Sequence, residues 1–338
     1  MVTMKRIAEI CGVSRGTVDR ALNGRGRVNA ETAERIQKVA EQLGYEPNPA
    51  GKALSARKKM PVIGVVIPAE GNNFFDDVLN GMKEAERLYA IYGLKINYYT
   101  MRGYNVEEQL AMLDSIEDKI NALVISPISN PKIAAKISTM VAKGIFVVTV
   151  NNDINGTKRH CFVGSDYYNG GVTSCALLEA LMTDNANIAI VLGSQQVLGH
   201  RERLAGFKAR MERVKKFRIV EVIENNDDDI LAYEMMKELL VKHPEINAVS
   251  ILAAGVYGTC RAIMQLPIEK RPLVLAFDTV PTTVEMMKNG IIKATIYQHP
   301  FRQGRSAINR AFEFLVNGRQ PAKDSYIFKN EIKLYENL

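Results

Sequence analysis

The sequence predicts an α/β protein in three parts: an all-α helix-turn-helix head at residues 1–47, a hinge at 48–60, and a two-lobed body at 61–338 with doubly wound parallel sheets. Three observations carry this. Two short amphipathic patterns flank a glycine near the N-terminus. Charge is concentrated: residues 1–60 hold 12 Lys and Arg against 6 Asp and Glu, so nearly all of the +7 excess lies in the first sixth of the chain. From Pro61 onward, β-branched runs alternate with helix-length amphipathic stretches, the signature of a parallel sheet covered on both faces.

The first helix runs from about Lys5 to Cys11, capped by Thr3, and Gly12 supplies the tight turn. Ser14 caps the second. There Val18, Ala21 and Leu22 share one side, while Arg15, Gly16, Asp19, Arg20 and Asn23 fall within an arc of roughly 140° on the other. Two such helices joined by a glycine turn are a helix-turn-helix, whose second member enters a DNA major groove. Ala33, Ile36, Val39, Ala40 and Leu43 stripe a third helix that closes the small core, and Gly44 ends it. Pro47 and Pro49 forbid continuation. The stretch PAGKALSARKK, from Pro49, has helix formers but little to bury, so alone it is mostly unfolded. Eight strand candidates follow, VIGVVIP, LKINYY, ALVISP, FVVTV, IAIVLG, VSILA, LVLAF and ATIYQ, with helical patterns between them such as Phe75 to Tyr92, Val106 to Asp118 and Ile230 to Lys242. About ten strands overfill one doubly wound sheet, which favours two lobes.

Composition narrows the function classes. A terminal basic block beside a nearly neutral body is the footprint of a dedicated nucleic-acid module. The expected location is the cytoplasm: no signal-like segment precedes the first helix, and no apolar run approaches the roughly 18 residues of a spanning helix, so no membrane partner is expected. Cys11, Cys161, Cys175 and Cys260 make no CxxC and read as small buried side chains. The four histidines lack metal-ligand spacing, and no nucleophile elbow, Walker A loop or complete dinucleotide fingerprint is present. No catalytic residue, metal or cofactor is therefore expected. The acidic run Asn225 to Asp229 reads as a solvated loop opening a helix.

The stretches TMKRIAEICGVSRGTVDRALNGRGRV and ETAERIQKVAEQLGYEPNPAGKAL resemble the DNA-binding domain of the lactose-repressor (LacI/GalR) family. The remainder resembles the ribose-type periplasmic-binding-protein fold through NNFF at 72–75, VGSD at 163–166, RERLAGF at 201–207, AFD at 276–278 and ATIYQHPFRQG at 294–304. The likeness implies a regulator, a repressor, that binds double-stranded DNA at a near-palindromic operator as a homodimer under control of a small sugar or polyol. Lobe 1 would comprise 61–163 and 299–322, lobe 2 164–298 and 323–338. Arg15, Gly16 and Arg20 would read bases, with Thr3, Ser14, Thr17 and Asn23 fixing phosphates and helix position. Leu54 matches the hinge leucine that wedges into a central minor-groove step. Gly51 and Lys52 stand where the family has Ala and Arg, which makes the hinge helix harder to form by up to about 1 kcal/mol. Asp19 departs from the family's serine, and two explanations stand: pairing with Arg15, or accepting from cytosine N4.

Ligands of open α/β sheets lie beyond the carboxyl ends of the strands. There stand Asn72, Phe74 and Phe75 after the first strand, Asn151 and Asn152 after FVVTV, Asp278 after LVLAF, and Gln298 after ATIYQ, with Arg201 opening a second-lobe helix. Alone, Phe74 or Phe75 reads first as core and Asn151 or Asn152 as a turn residue. Together, rings, amides, one carboxylate and one guanidinium suit a sugar or cyclitol. Ala253 to Val256 replace a polar pair usual in the family, so a ligand contact is expected to be missing there. The competing classes are a sugar-modifying enzyme, for which Asp278 is the sole good base, and a sugar receptor with an appended head.

Overall fold

The computed structural model describes residues 2–22, 28–45, 53–54, 56–57 and 60–338. Asn23, the basic loop after it and most of the hinge, including Gly51 and Lys52, lie outside the described residues. The head has three helices, α1 (Met4–Cys11), α2 (Arg15–Leu22) and α3 (Ala30–Gln42). Their apolar stripes meet in one cluster where Ile7, Val18 and Ile36 are fully buried. Arg35 Nη2 donates to the Cys11 carbonyl at 2.8 Å, tying α3 to the end of α1. In the hinge, Ala53, Leu54, Ala56 and Arg57 have helical backbone. Composition alone predicts little order here. The body supplies the missing partner: Ala53 and Ala56 are buried, and Arg57 Nε donates to the Ile91 carbonyl at 2.8 Å.

Two six-stranded sheets follow. The first contains β1 (Val62–Glu70), β2 (Lys95–Arg102), β3 (Ala122–Ile125), β4 (Phe146–Val150), β5 (Cys161–Ser165) and β11 (Ser325–Phe328), in the order β11-β5-β4-β3-β1-β2 and parallel throughout. The second contains β6 (Ala186–Leu192), β7 (Phe217–Glu224), β8 (Ala248–Ile251), β9 (Leu273–Phe277), β10 (Ile292–Tyr297) and β12 (Glu331–Lys333), ordered β12-β10-β9-β8-β6-β7 with only β12 antiparallel. Every residue of β3, β4 and β8 is buried, as a sheet covered on both faces requires.

Each lobe is clamped by a close helix pair. In lobe 1, α4 (Phe74–Tyr89) crosses α12 (Pro300–Asn317), where a Cβ on Gly81 would lie 2.0 Å from the Phe301 carbonyl oxygen and one on Gly304 1.9 Å from that of Val78. In lobe 2, α7 (Tyr167–Leu181) crosses α8 (Leu198–Met211), with Gly171 against the Arg203 carbonyl and Gly206 against that of Tyr168, both at 1.9 Å by the same measure. Only glycine permits backbones so near.

Two lobe boundaries differ from the sequence reading. The first crossing falls after Ser165, because β5 completes its pairing with β11 through that residue. Residues 325–328 extend the first sheet rather than the second, so only the stretch from Glu331 returns to lobe 2. The three crossings are stitched together: Ser165 Oγ and Gln303 Nε2 both donate to the Gln298 carbonyl, at 3.0 and 2.8 Å. His299 Nε2 lies 3.0 Å from Glu331 Oε1, and Asn330 Nδ2 donates to the Asp166 carbonyl at 2.9 Å.

Candidate functional site

On the head, Thr3 Oγ1 accepts from the Arg6 amide at 3.3 Å and Gly12 adopts φ 62°, which fixes the turn. Ser14 Oγ accepts from the Thr17 amide at 3.1 Å and meets the Thr17 hydroxyl at 2.9 Å, so both hydroxyls hold the start of α2. Ser14, Arg15, Gly16 and Arg20 are exposed and Thr17 is half-buried. Arg20 Nη2 reaches Thr17 Oγ1 at 3.4 Å. A Cβ on Gly16 would meet only Ser14 Oγ, 3.8 Å away, so internal packing does not demand glycine here. Burial, and next the Asp19 carboxylate, hold the Tyr45 hydroxyl above its ordinary pKa, with Arg15 opposing; Asp19 thus lies near the C-terminal end of α3. Leu54 stays 62% exposed beside two buried alanines, an apolar side chain turned largely to solvent.

In the body, strand ends and helix starts of both sheets converge on an interlobe cavity of about 100 Å³. That is well under the roughly 300–1,000 Å³ of drug-sized sites, which is too little room for an oligosaccharide. Asn72, Phe74, Phe75, Asn151, Asn152, Asp278 and Gln298 all line it. Asn72 Oδ1 accepts from the Phe74 amide at 3.1 Å, and the Phe74 and Phe75 rings meet edge to face with centroids 5.3 Å apart. Phe75 is buried in the lobe 1 core and Phe74 half-buried against it. Asn151 and Asp278 turn inward from their strands at φ 60° and 62°, a left-handed conformation that Asn and Asp tolerate. Asn152 crosses the cleft, its Nδ2 donating to the Pro127 carbonyl at 2.8 Å and its Oδ1 accepting from the Gly199 amide at 3.4 Å.

Arg201 requires correction. It does not line the cavity; its guanidinium bonds the Gln195 carbonyl and reaches Ser129 Oγ at 3.5 Å. The cavity's guanidinium is that of Arg203, 5% exposed, two positions on and therefore about 200° around the helix. Arg203 Nη1 donates to the Leu252 carbonyl and Nη2 to Gln298 Oε1, both at 2.6 Å, and the group lies 4.5 Å from the Phe277 ring centroid. Gln298 Nε2 donates to Asp278 Oδ2 at 2.6 Å, completing an Arg203–Gln298–Asp278 chain. Asp278 Oδ1 is buried with no partner, as is the Tyr167 hydroxyl oxygen of the same wall. Burial pushes the Asp278 carboxyl up to about 6, against the pull of Arg203 and Gln298.

The acidic run does open a helix, Asp229–Lys242, with Asp228 as its cap and Asn226, Asp228 and Asp229 exposed, but two of its residues turn inward. Asn225 is fully buried, with Nδ2 donating to the Ala254 carbonyl at 2.9 Å. Asp227 Oδ1 accepts from the Ala254 amide at 3.0 Å, and Oδ2 accepts from the Tyr104 hydroxyl across the cleft. Burial and that carboxylate hold Tyr104 protonated. Asp227 thus supplies a polar side chain at the apolar stretch Ala253 to Val256. His200 also lines the cavity; burial lowers its pKa, and its Nδ1 lies 3.1 Å from the Ser194 amide nitrogen. Among the described residues no cluster of His, Cys, Asp and Glu could hold a metal, and no helix is long and apolar enough to cross a membrane. All four cysteines are buried and free.

A helix-turn-helix head on a two-lobed body whose strand ends enclose a small polar cavity defines a ligand-responsive DNA-binding regulator. Comparison with known proteins agrees part by part. Residues 63–319 match the periplasmic binding protein domain, and residues 3–48 match the bacterial regulatory proteins of the lacI family. The chain belongs to the periplasmic-binding-protein-domain family over its body and carries the DNA-binding domain of the lacI family of transcriptional regulators. It is 26% identical over 271 residues to the ribose import binding protein RbsB of Bacillus subtilis, covering 80% of this chain and 86% of that protein. It is 26% identical over 242 residues to catabolite control protein A of Priestia megaterium, covering 70% of each. Among solved structures it is similar to GanP, a glucose-galactose binding protein of Geobacillus stearothermophilus, with a TM-score of 0.75 and 25% identity over 82% of this chain and 99% of that one.

Proposed function

We propose that this protein is a cytoplasmic, homodimeric repressor whose affinity for a near-palindromic operator is set by a small sugar or polyol held between its lobes. The observation that carries the ligand half is Asp278 Oδ1, a buried acceptor without a donor on the wall of a cavity lined by Phe74, Phe75, Asn72, Asn151 and Gln298. A buried unpaired carboxylate oxygen is costly, and a hydroxyl from a ligand removes the cost. Aromatic faces take the C–H side of such a ring and amides its remaining hydroxyls. RbsB and GanP, named for ribose and for glucose and galactose, support the same class.

For the DNA half, Arg15, Gly16 and Arg20 read bases, Thr3, Ser14, Thr17 and Asn23 position the helix on phosphates, and Leu54 enters a minor-groove step. One head of this size binds weakly, which is why two must act on one duplex. Ligand and operator need only prefer different closure states for each to alter the other's affinity, by equal factors. A thermal-shift screen of sugars and polyols, followed by operator titration with and without each hit, tests this. Operator affinity that no cleft ligand changes would end the proposal.

A further inference from the structure

On the reading of the cleft as a polyol site, we infer that it selects by charge: its ligand is uncharged and brings a hydroxyl donor to Asp278, while phosphorylated and carboxylated analogues are excluded. Among the described residues lining the cavity there are three carboxylates, Asp227, Asp229 and Asp278, and one permanently cationic side chain, Arg203. Anions are gripped by guanidinium through two parallel N–H bonds. Here two of its five N–H groups are already engaged, one on Nη1 by the Leu252 carbonyl and one on Nη2 by Gln298 Oε1, both at 2.6 Å, while Nε is buried and unpartnered.

The other place for an anion in such a cleft is a helix N-terminus. Several of those that open on this cavity are already answered by the chain's own oxygens, though the start of Pro281–Lys288, where Val280 and Thr282 line the cavity, has no side-chain cap. Asn72 Oδ1 takes the Phe74 amide at 3.1 Å, Asn152 Oδ1 the Gly199 amide at 3.4 Å, and Asp166 Oδ1 the Asn169 amide at 2.9 Å. At the start of α10 (Val256–Ile263), Asp227 takes the Ala254 amide and Asp229 the Gly258 amide, at 3.0 and 2.9 Å. A phosphate or carboxylate entering this space meets three carboxylates against one guanidinium already bonded twice to the protein, and it meets the unpaired oxygen of Asp278. A like charge about 4 Å away weakens binding by roughly a thousandfold at the effective dielectric of such sites.

The test uses the full-length protein at pH 7.5 and calorimetric titration. The probes are neutral aldoses and cyclitols, the monophosphate and sugar acid of each, and inorganic phosphate alone. The expected result is that neutral members bind, that each phosphorylated or acidic counterpart is at least about a hundredfold weaker, and that inorganic phosphate gives no heat. In Asp278→Asn, which keeps the side chain's shape, the gap between a neutral ligand and its phosphate narrows by tenfold or more. An anionic member binding as tightly as its neutral parent, or inorganic phosphate titrating into the cleft, overturns the inference. So does a gap that Asp278→Asn leaves unchanged. Failure of every neutral member would instead overturn the polyol reading itself, while the phosphate arm would still decide the charge rule.

Discussion

Replacing Asp278 by asparagine exchanges one oxygen for an amide nitrogen at the centre of the cleft, and its consequences follow from two properties of that carboxylate. One oxygen is held by Gln298 at 2.6 Å and the other has no donor. A hydroxyl bonded to a carboxylate contributes about 1.5–3 kcal/mol, so the substitution should weaken each ligand found in the screen by roughly 10–150-fold. The second property is the pKa, raised by burial from 3.8 to about 6. Because the folded protein binds this proton more tightly than the unfolded chain, the group's contribution to stability is full below about pH 4 and lost as pH rises through 6. The loss is about 3 kcal/mol in all. Ligand binding runs the other way. The ionised form accepts the ligand's hydroxyl, so affinity should rise about tenfold from pH 5, one unit below the folded pKa, to pH 7. Asp278→Asn should flatten both dependences together. Titration calorimetry at pH 5 and 7, with thermal unfolding over the same range, reads all of this. A wild-type affinity that falls as pH rises would mean the ligand accepts from the protonated acid, and the role given to Asp278 would be wrong.

Arg20→Ala should cost about 1–3 kcal/mol of operator affinity and relax preference at one base position; a loss equal on all sequences would make Arg20 a phosphate contact instead. Gly206→Ala drives a methyl into the Tyr168 carbonyl, 1.9 Å from the ideal Cβ, and should destabilise the body by about 1–3 kcal/mol, seen as a lower melting temperature. Tyr104→Phe deletes the bond to Asp227 that spans the cleft without any ligand, so the unliganded protein should open and its radius of gyration increase in solution scattering. Superimposable scattering curves would deny the bond that role. Arg57→Ala removes the hinge's bond to the Ile91 carbonyl and should leave ligand affinity intact while reducing the effect of ligand on operator binding.

Much of this arrangement was legible because it follows from periodicity. The bare polar arc of α2 and the strand-end positions of Asp278 and Gln298 are geometric consequences of a 3.6-residue turn and a parallel sheet. Arg203 was equally legible and was missed: it lies four residues from both Gly199 and Phe207, on the buried face that Arg201 avoids. The strand β7 also carried a signal, since in FRIVEVIE the exposed Arg218 and Glu221 are set among apolar residues, as at a sheet edge; charge hid it. By contrast nothing local announces Asp227 or Tyr104. Asp227 reaches the cleft because Asn226 and Asp227 both adopt positive φ, at 51° and 59°, and Tyr104 stands on the loop after β2. Their meeting depends on the angle between lobes, a tertiary quantity without a period. The short edge strand β11 is hidden for the same reason, being paired with β5 only because the chain crosses the hinge a third time.

The helix α4 joins the two ends of the problem. Its first residues, Phe74 and Phe75, are cavity wall, and the turn that follows its last residue presents the Ile91 carbonyl on which Arg57 of the hinge is anchored. Sixteen residues at 1.5 Å each make it about 24 Å long. Its close crossing with α12 at Gly81 and Gly304 leaves little freedom to bend, so on the proposed function it would move as a rod. A ligand that shifts the phenylalanine end therefore shifts the seat of the hinge, and α12, its partner, begins at the second interlobe crossing where Gln303 and His299 bind the other two. The interlobe crossings and the seat of the hinge thus lie on the same pair of helices. Adjacency alone does not establish coupling, which is why the Arg57 substitution, remote from both ligand and bases, bears on it more directly than any change within either site.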